Sequence, residues 1–345
     1  MFNADEMSRK LEKFLARRLP DAKRIKVSNC SLMTGGYSCV TSQFTASIDG
    51  PSKRYIARAD APASQAVVKS DRLREWTILS ALSKIGTVPI PKALFADEDG
   101  SELGAITLIL DFAEGGSFLS KLRASGEDQR EGQTNAMCDL AAEIHATNIS
   151  LLPACLERPT DWDSYIDGLI ALWKKTEAEL SDSIPMLRYM AAWLDQNRPP
   201  PAPLSLVHGE FQSSNQVLNG AEKLLAIDWE FPHIGDPRED IGWCIWVESV
   251  QPPALITRDI QSFCQRYCAR SGLSAEIVNP LTVAYFSILP SIRVFAEVLR
   301  QKQAFSEGSN KSMQNGYLVG AVASAYEGWF NATQQIEVAQ QGAGA

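Results

Sequence analysis

The sequence predicts an α+β protein in which a small, mostly antiparallel β lobe precedes a larger, mostly α-helical lobe. Residues 25–60 alternate apolar and polar side chains around the turn signals GG and DGPS, a pattern typical of three short antiparallel strands. After residue 112 most segments carry apolar residues at helical spacing. A chain of 345 residues is long enough for two lobes, and we expect them to be 1–112 and 113–345.

The first lobe also contains predicted helices. The stretch MFNADEMSRKLEKFLARRLP places Leu and Phe at helical spacing among charged residues, which indicates an amphipathic helix and not a signal peptide. Residues 65–85 repeat apolar side chains at the same spacing and predict one long helix. The stretch AITLILDF is typical of a buried strand, ended by AEGGS. The first lobe is therefore expected to be a small sheet with one long helix besides the N-terminal one.

The second lobe is expected to be helical with one exception. Segments such as TNAMCDLAAEIHAT, YIDGLIALWKKTEAEL and IPMLRYMAAWLDQN have helical periodicity. The exception is 204–231, where SLVHGEFQSSNQVL, a turn at NGAEK and LLAIDWEF predict two short strands around a loop. If LSLV and LLAI are paired strands, residues 207–215 form a loop at the end of one strand.

Composition excludes several classes of protein. The 45% hydrophobic and 21% charged residues are ordinary for a soluble globular protein. No apolar run approaches the roughly 20 residues of a membrane-spanning helix, and no basic stripe carries interleaved aromatics, so neither a membrane nor a nucleic acid is an expected partner. Seven cysteines without a CxxC pair predict free thiols and a cytoplasmic location. We expect a monomer or a homodimer.

Charge is divided unevenly along the chain. The first 110 residues hold 16 basic and 12 acidic side chains, and the remainder holds 17 and 29. The acidity of the second part serves solubility or attracts a cationic substrate, and composition does not choose between these.

Four polar residues lie in or beside the strand-like stretch 204–231: His208, Glu210, Asn215 and Asp228. If the two strands pair, the oxygen-bearing side chains among them would converge, and such ligands suit Mg²⁺. A carboxylate beside the metal could orient or deprotonate a hydroxyl. The alternative is a plain hairpin whose polar residues cap turns.

The order of these residues resembles a known family. His208-Gly209-Glu210-x4-Asn215, followed by Ile227-Asp228-Trp229-Glu230 and then HIGDPREDIGW, is similar to the pattern of the aminoglycoside phosphotransferase/choline kinase-like family, relatives of the protein kinases. In that family an HGDxxxxN motif precedes an I-D-[FW]-[DE] motif. The resemblance covers roughly residues 25–250. It implies a protein-kinase-like fold, ATP and Mg²⁺ as cofactors, and a small hydroxylated molecule as acceptor.

The first lobe carries further matches to the family. LMTGGYSCVTSQF resembles its nucleotide loop, which implies that Gly35, Gly36 and Ser38 lie under the phosphates. RYIAR resembles the strand whose basic residue holds the α- and β-phosphates, here Arg58, and Glu75 matches the helix carboxylate that pairs with it. LILDFAEGG resembles the hinge, which implies that backbone groups of Asp111, Phe112 and Ala113 meet adenine.

The resemblance also implies roles in the second part of the motif. Asp228, in a metal-binding segment 226–231, and Asn215 would bind Mg²⁺, and His208 would brace the catalytic loop 207–215. Glu210 stands where the family has the aspartate that accepts the proton of the substrate hydroxyl. Its extra methylene moves the carboxylate about 1.5 Å further from the backbone, and a shift of about 1 Å can cost on the order of 100-fold in rate.

Three functions are therefore open. The first is an ATP-dependent phosphotransferase that transfers the γ-phosphate to a hydroxyl of a small molecule. The second, the alternative, is a nucleotide-binding, pseudokinase-like protein with weak or no transfer because of Glu210. The third is a metal-dependent hydrolase using His208, Asp228 and His233, which the lack of an HxH or HExxH motif disfavours.

Other residues of the second lobe have expected roles. We expect His145 to pack and form hydrogen bonds, and Asp236 and Asp240 to cap turns and a helix. Candidate residues for acceptor binding lie on the later helices: Trp243, Trp246, Glu248, Tyr285 and Arg293.

Overall fold

The computed structural model describes residues 3–33, 39–60, 71–180, 184–250, 253–308 and 313–343. The chain divides into two compact units, each described by itself. The first unit comprises Met1–Gly116, Ser150–Cys155 and Val217–Glu230. The second comprises Ser117–Ile149, Leu156–Gln216 and Phe231–Ala345. The segment 217–230, which the sequence placed in the second lobe, therefore groups with the first unit.

A five-stranded antiparallel sheet forms the centre of the first unit, with strand order β1-β2-β3-β5-β4. The strands are β1 Ile25–Leu32, β2 Cys39–Ile48, β3 Ser52–Asp60, β4 Ala93–Asp97 and β5 Thr107–Asp111, with helix α1 Ala4–Arg18 before them and α2 Arg72–Ile85 between β3 and β4. The predicted strands and helices are confirmed. Helix α2 begins at its cap Asp71, which accepts the Arg74 N–H, and residues 65–70 of the helix predicted over 65–85 lie outside the described residues.

The core of the first unit lies between α1 and the sheet. Helix α1 contributes its apolar face, including Leu11 and Phe14, which are fully buried. The sheet contributes Phe44 and Ile109 to the same cluster. Phe44 alternates with more exposed neighbours along β2, whereas in β5 both Leu108 and Ile109 are fully buried. Burial of each such side chain stabilises the fold by about 1.5–3 kcal/mol. This core holds β3, whose residues reach the candidate site.

The second unit is mostly helical, as predicted. Its elements are α3 Phe118–Ala124, α4 Arg130–His145, α5 Trp162–Leu180, α6 Pro185–Gln196, β7 Ser205–Val207, β10 His233–Gly235, α7 Arg238–Val250, α8 Ile260–Ser271, α9 Pro280–Ile288, α10 Ile292–Ser306 and α11 Met313–Ala343. Its core centres on an edge-to-face pair, Trp173 and Trp329, with ring centroids 4.9 Å apart. The Trp173 indole N–H donates to the Leu289 carbonyl at 2.9 Å.

The pairing considered for LSLV and LLAI is not the one in the structure. Strand β7 pairs antiparallel with β10, with Val207 opposite His233. The strand LLAI, β9 Leu224–Ala226, lies beside β8 Gln216–Leu218 in a small sheet with β6 Gly116–Ser117. The reason is loop length: the turn from Asn219 to Lys223 joins β8 directly to β9, which closes a far shorter loop than pairing β7 with β9 would.

Among the described residues, one helical stretch, Pro280–Ser306, is long and apolar enough to cross a membrane by length and composition. The expectation that no apolar run approaches this length does not hold for it. In the structure it comprises α9, a short 3₁₀ turn and α10, and 67% of its most apolar window is buried inside the protein. A core helix of a soluble protein passes the same test, so the stretch is only weak support for a membrane span.

Candidate active site

The first group of candidate residues is centred on Arg58 in β3. Arg58 pairs in the sheet with Thr41 and Leu108, and its side chain points away from the solvent, with 11% exposed. Its Nε lies 3.2 Å from an oxygen of Glu75 on α2, whose side chain is 2% exposed. The ion pair expected from the sequence is therefore present.

Asp228 follows β9 and is also in contact with Arg58. The Arg58 Nη2 donates to carboxylate oxygens of Asp228 and Glu230. Asp228 has φ +68°, in the left-handed region, and 28% of its side chain is exposed. A non-glycine residue held there costs on the order of 1–3 kcal/mol and is typical of functional sites. The structure thus brings together three predicted residues, Arg58, Glu75 and Asp228.

Arg72 belongs to the same cluster and was missed by the sequence analysis. It is the first residue of α2, and its side chain is fully buried. It donates to Glu75, lies 3.3 Å from Glu230, and reaches Asp60 at 3.4 Å. The only signal in the sequence is its position three residues before Glu75, where two side chains on a helix meet.

The charges of this cluster suit a divalent cation. Burial alone would lower the pKa of Arg58, but the nearby carboxylates of Glu75 and Asp228 outweigh it and raise that pKa, so Arg58 stays charged. The two guanidinium groups of Arg58 and Arg72 contact carboxyl groups of Glu75, Asp228 and Glu230, and burial raises the pKa of Glu75 despite these arginines. Carboxylate oxygens are the protein ligands that Mg²⁺ prefers. Among the described residues no group of three or more His, Cys, Asp or Glu side chains forms a metal site; one or two carboxylates, with waters and phosphate oxygens, are the usual Mg²⁺ ligands.

The second group of candidate residues is the loop after β7, and Asp240 of α7 holds it. The fully buried Asp240 carboxylate accepts the His208 N–H at 2.8 Å and the Gly209 N–H at 2.9 Å. It also lies 3.0 Å from the Nε2 of His145, and the Nδ1 of the same ring contacts the Tyr267 hydroxyl. Burial would raise the pKa of Asp240, but these hydrogen bonds outweigh it and lower that pKa. His145 thus packs and bonds as predicted, while Asp240 anchors the loop.

Gly209 is required by this loop. Its φ is +88°, and a Cβ there would lie 2.4 Å from the Phe231 carbonyl oxygen, closer than real contacts allow. The neighbouring His208 is buried, and its Nδ1 accepts the Glu210 N–H at 3.3 Å. His208 therefore braces the start of the loop in this structure.

Glu210 and Asn215 are joined at the other end of the loop. The Asn215 side-chain amide donates to the Glu210 carbonyl at 3.0 Å, and the Asn215 N–H donates to the Gln212 carbonyl at 2.9 Å. Asn215 ends a 3₁₀ turn, Ser213–Asn215, and is 9% exposed. At this end of the loop, a backbone hydrogen bond and one amide side chain hold the chain.

Two other sets of predicted nucleotide residues have different outcomes. Gly35, Gly36 and Ser38 lie outside the described residues and stay predictions. At the predicted hinge, the Asp111 N–H donates to the Lys92 carbonyl at 3.0 Å, the Phe112 ring stacks under Arg54 at 3.9 Å, and Ala113 accepts the Gly116 N–H at 3.4 Å. Adenine binding by Asp111, Phe112 and Ala113 stays a prediction, with the Asp111 N–H already bonded to protein.

The candidates for acceptor binding separate into structural and exposed residues. Tyr285 is buried and donates to the Leu194 carbonyl at 2.9 Å, so it belongs to the core. Glu248 accepts the N–H groups of Ile256 and Thr257, at 3.0 Å each, and orders that turn. Trp243 is 7% exposed and Trp246 half-buried, and Arg293 keeps 33% of its side chain exposed.

His233 does not fit the hydrolase hypothesis. Its Nδ1 lies 3.0 Å from the Phe231 carbonyl, and its Nε2 lies 2.9 Å from Arg293 Nη1 and 3.2 Å from Glu239. Both ring nitrogens therefore have protein partners, which leaves none for zinc.

Comparison with known proteins now gives the class of the chain. A model of the phosphotransferase enzyme family, which includes the aminoglycoside phosphotransferases, matches residues 35–273. This match covers more than half of the chain, and the protein belongs to the phosphotransferase enzyme family. The resemblance drawn from the motifs is therefore confirmed.

Solved structures confirm the kinase-like fold. The “putative aminoglycoside phosphotransferase” of Ralstonia eutropha jmp134 is similar at TM-score 0.67 and 21% identity, over 94% of this chain and 98% of that chain. A choline/ethanolamine kinase family protein from Mesorhizobium loti gives 0.59 and 15%, over 96% and 95%. A thermostable mutant of the aminoglycoside phosphotransferase APH(4)-Ia, in a ternary complex with ADP and hygromycin B, gives 0.60 and 17%, over 94% and 98%.

Two curated relatives are longer proteins that are named as acyl-CoA dehydrogenases. “Acyl-CoA dehydrogenase family member 10” of Mus musculus is 26% identical over 279 residues, 76% of this chain and 26% of that protein. “Probable acyl-CoA dehydrogenase IBR3” of Arabidopsis thaliana is 24% identical over 275 residues, 71% of this chain and 33% of that protein. The chain thus spans about a quarter to a third of the curated relatives it matches.

Proposed function

We propose that this protein is an ATP-dependent phosphotransferase that moves the γ-phosphate of ATP to a hydroxyl of a small molecule. The observation that carries the proposal is the contact of Arg58 with both Glu75 and Asp228 inside the first unit of a phosphotransferase family member. An arginine placed by a buried carboxylate is oriented to bind phosphate oxygens. The complex of APH(4)-Ia with ADP supports a nucleotide as donor.

The residues of this chain have distinct proposed roles. Arg58 binds the α- and β-phosphates, and Glu75 orients it. Asp228 and Asn215 hold Mg²⁺, which when bound would neutralise charge on the phosphates. The Glu210 carboxylate accepts the proton of the acceptor hydroxyl.

The acceptor is a small hydroxylated molecule, and relatives suggest where to look. APH(4)-Ia binds hygromycin B in its complex, and two curated relatives carry acyl-CoA dehydrogenase names. We therefore include amino-sugar antibiotics, amino alcohols, sugars, hydroxy amino acids and hydroxylated acyl-CoA thioesters as candidate acceptors. All seven cysteines are free thiols, which fits our proposal of a cytoplasmic enzyme.

The proposal is tested by ADP release from Mg·ATP across this panel. We expect at least one acceptor to stimulate release, and Asp228→Ala to lower that rate by about 1,000-fold, because several kcal/mol of charge stabilisation would be lost. The matched control is Asp99→Ala, which removes an exposed carboxylate from a turn of the same unit and should leave the rate unchanged. Tight nucleotide binding without turnover on any acceptor would favour the pseudokinase-like alternative, and an unaffected Asp228→Ala rate would remove Asp228 from the mechanism.

A further inference from the structure

Arg293, near the start of α10, is held by a buried polar cluster in the second unit. Its Nη1 donates to a Glu239 oxygen at 2.8 Å, and its Nη2 donates to the Tyr165 hydroxyl at 2.7 Å. Glu239 is 2% exposed and Tyr165 8%, and the two also share a hydrogen bond. The guanidinium is therefore fixed in place although a third of the side chain is exposed.

His233 completes the cluster. Arg293 Nη1 lies 2.9 Å from the His233 Nε2, and since arginine only donates, that nitrogen accepts in this contact. The same His233 nitrogen lies 3.2 Å from a Glu239 oxygen. Because a carbonyl oxygen only accepts, the His233 Nδ1 donates to the Phe231 carbonyl at 3.0 Å. The ring also stacks on Tyr165, with centroids 6.2 Å apart. Three different groups thus orient one guanidinium.

The contacts leave one edge of this guanidinium open. A guanidinium has five N–H donors, and the three contacts engage both Nη1 hydrogens and one Nη2 hydrogen. In the described part of the chain, the Nε–H and the second Nη2 hydrogen have no protein partner. Nε and Nη2 form the edge that binds carboxylate or phosphate oxygens in a bidentate manner.

Other arginines of the second unit show how this edge is normally used. Within the described ranges, four of them donate through both Nε and Nη2 to one carboxylate group: Arg188, Arg238, Arg266 and Arg300. Arg293 is held instead through Nη1 and through one hydrogen bond of Nη2. The edge that is used for carboxylates elsewhere is therefore available for a ligand.

The cluster lies beside the candidate catalytic loop. His233 pairs directly with Val207, the last residue before His208, in the β7–β10 ladder. The Phe231 carbonyl that accepts the His233 proton is the atom against which Gly209 packs. A ligand on the open edge of Arg293 would therefore be held next to Glu210's loop.

We propose that Arg293 binds an anionic group, a carboxylate or a phosphate, of the acceptor molecule. The assignment of the bound molecule as the acceptor rests on the proposed function. The contacts that orient Arg293 all lie within the second unit. The 29 acidic residues after position 110 would repel an anion at long range. Such charges are screened beyond about 8 Å at physiological salt, so binding of the anion depends on its direct contact with Arg293.

The test uses matched pairs of probes that differ in one charge. The full chain, saturated with Mg²⁺ and the ATP analogue AMP-PNP to fill the nucleotide phosphate site, is titrated calorimetrically with 3-hydroxybutanoate and its amide, and with glycerol 3-phosphate and glycerol. We expect at least one anion to bind about 10- to 100-fold more tightly than its neutral partner, the range that a charged hydrogen-bonded pair supports. The pair that shows the preference distinguishes carboxylate from phosphate.

Variants then assign the preference to Arg293. Arg293→Gln should reduce it to near unity, and Arg293→Lys, which keeps the charge but not the planar edge, should retain part of it. The matched control is Arg300→Gln, two turns further along α10, whose Nε and Nη2 are already bound by Glu179; it should keep the full preference. A preference unchanged in Arg293→Gln, or no preference in the wild-type protein, would overturn the inference.

A second measurement does not depend on the variants folding or on turnover. The Nε–H resonance of Arg293 in the wild-type protein should shift on addition of the preferred anion and not of its neutral partner. An unmoved resonance at saturating anion overturns the inference. Phosphate transfer to neutral and anionic acceptors at equal efficiency would also overturn the role of Arg293 while leaving the proposed phosphotransferase function intact. Anion binding at Arg293 without any phosphate transfer would support the role of Arg293 and contradict the proposed function.

Discussion

The two units hold their candidate residues by different means. In the first unit, side chains hold side chains: Arg58 and Arg72 each contact several carboxylates, including Glu75 and Glu230. In the second unit, one buried carboxylate, Asp240, holds the backbone of the catalytic loop through two N–H groups. The first arrangement is a network of ion pairs and the second is a fixed backbone.

The two arrangements differ in whether their hydrogen-bonding groups can exchange one partner for another. A guanidinium shared among carboxylates can exchange one oxygen for another without any backbone movement, so Arg58 can leave Asp228 and bind a phosphate. The backbone N–H groups of His208 and Gly209 have no such freedom, because breaking their bonds would leave the buried Asp240 charge uncompensated. We infer that the first unit adapts to its ligand and that the loop of the second unit is preformed.

The largest expected effect comes from removing Arg72. Arg72→Met leaves Glu75 and Glu230 with one buried cation between them, and loss of one partner of a buried ion pair costs about 3–5 kcal/mol. Denaturation by urea should show this loss. As a control, Arg17→Met removes an arginine that is 66% exposed and paired with Glu102, and it should cost at most about 1 kcal/mol. Equal losses in the two variants would show that the network is not a structural unit.

A smaller effect is expected from Asp240→Asn. The asparagine can accept only one of the two loop N–H groups and presents its own N–H₂ to the other, so we expect a loss of about 3 kcal/mol at pH 7. The folded-state pKa of Asp240 is lowered from 3.8, so the stability that its ionised form contributes is complete above that value. It is lost as the pH falls through the lower folded-state pKa.

Urea denaturation at several pH values measures this prediction. The difference between wild type and Asp240→Asn should be constant near neutrality and shrink below about pH 4. Asp259→Asn is a suitable control, because Asp259 caps α8 at an exposed position and accepts the Ser262 N–H. It should cost at most about 1 kcal/mol. A difference that grows on acidification would contradict the assignment of Asp240 as an ionised anchor.

The smallest effect is expected from Glu210→Asp. Since the loop backbone is preformed, the side chain alone sets how far the carboxylate reaches toward the acceptor hydroxyl. If the glutamate is matched to its acceptor, the aspartate should be about 10-fold slower, equivalent to about 1.4 kcal/mol. The measurement is the rate of ADP release at saturating ATP. A faster Glu210→Asp enzyme would mark the natural protein as attenuated and support the pseudokinase-like alternative.

Much of the fold could be predicted because it depends on local patterns. The alternation of residues 25–60 specifies strands, and the helical spacing of the later segments specifies helices. The pairing of β7 with β10 could not be predicted in this way, because three-residue strands carry too little pattern to choose a partner. What decided it was the short turn between β8 and β9.

The candidate site shows the same limit. Arg58, Glu75 and Asp228 were found because their motifs resemble those of a known family, and the structure brings the three together. Arg72 and Asp240 were missed as site residues, since most of their partners lie far away in the sequence, although Arg72 also contacts Glu75 three residues on. Glu230, for example, lies 158 positions from the Arg72 that contacts it. Contacts of this kind follow from packing and leave no local signal.

The hairpin of β8 and β9 has a consequence for how the length of this chain can vary. Its tip, residues 220–223, is exposed, whereas the strands β7 and β10 that flank the hairpin are paired residue by residue. Residues added to or removed from the tip would change loop closure by only about 0.6 kcal/mol for each doubling of length. The number of residues between Asn215 and Asp228 therefore depends on the length of this turn. Insertions at the tip should be tolerated, whereas a single residue inserted between Val207 and Gly209 should not be.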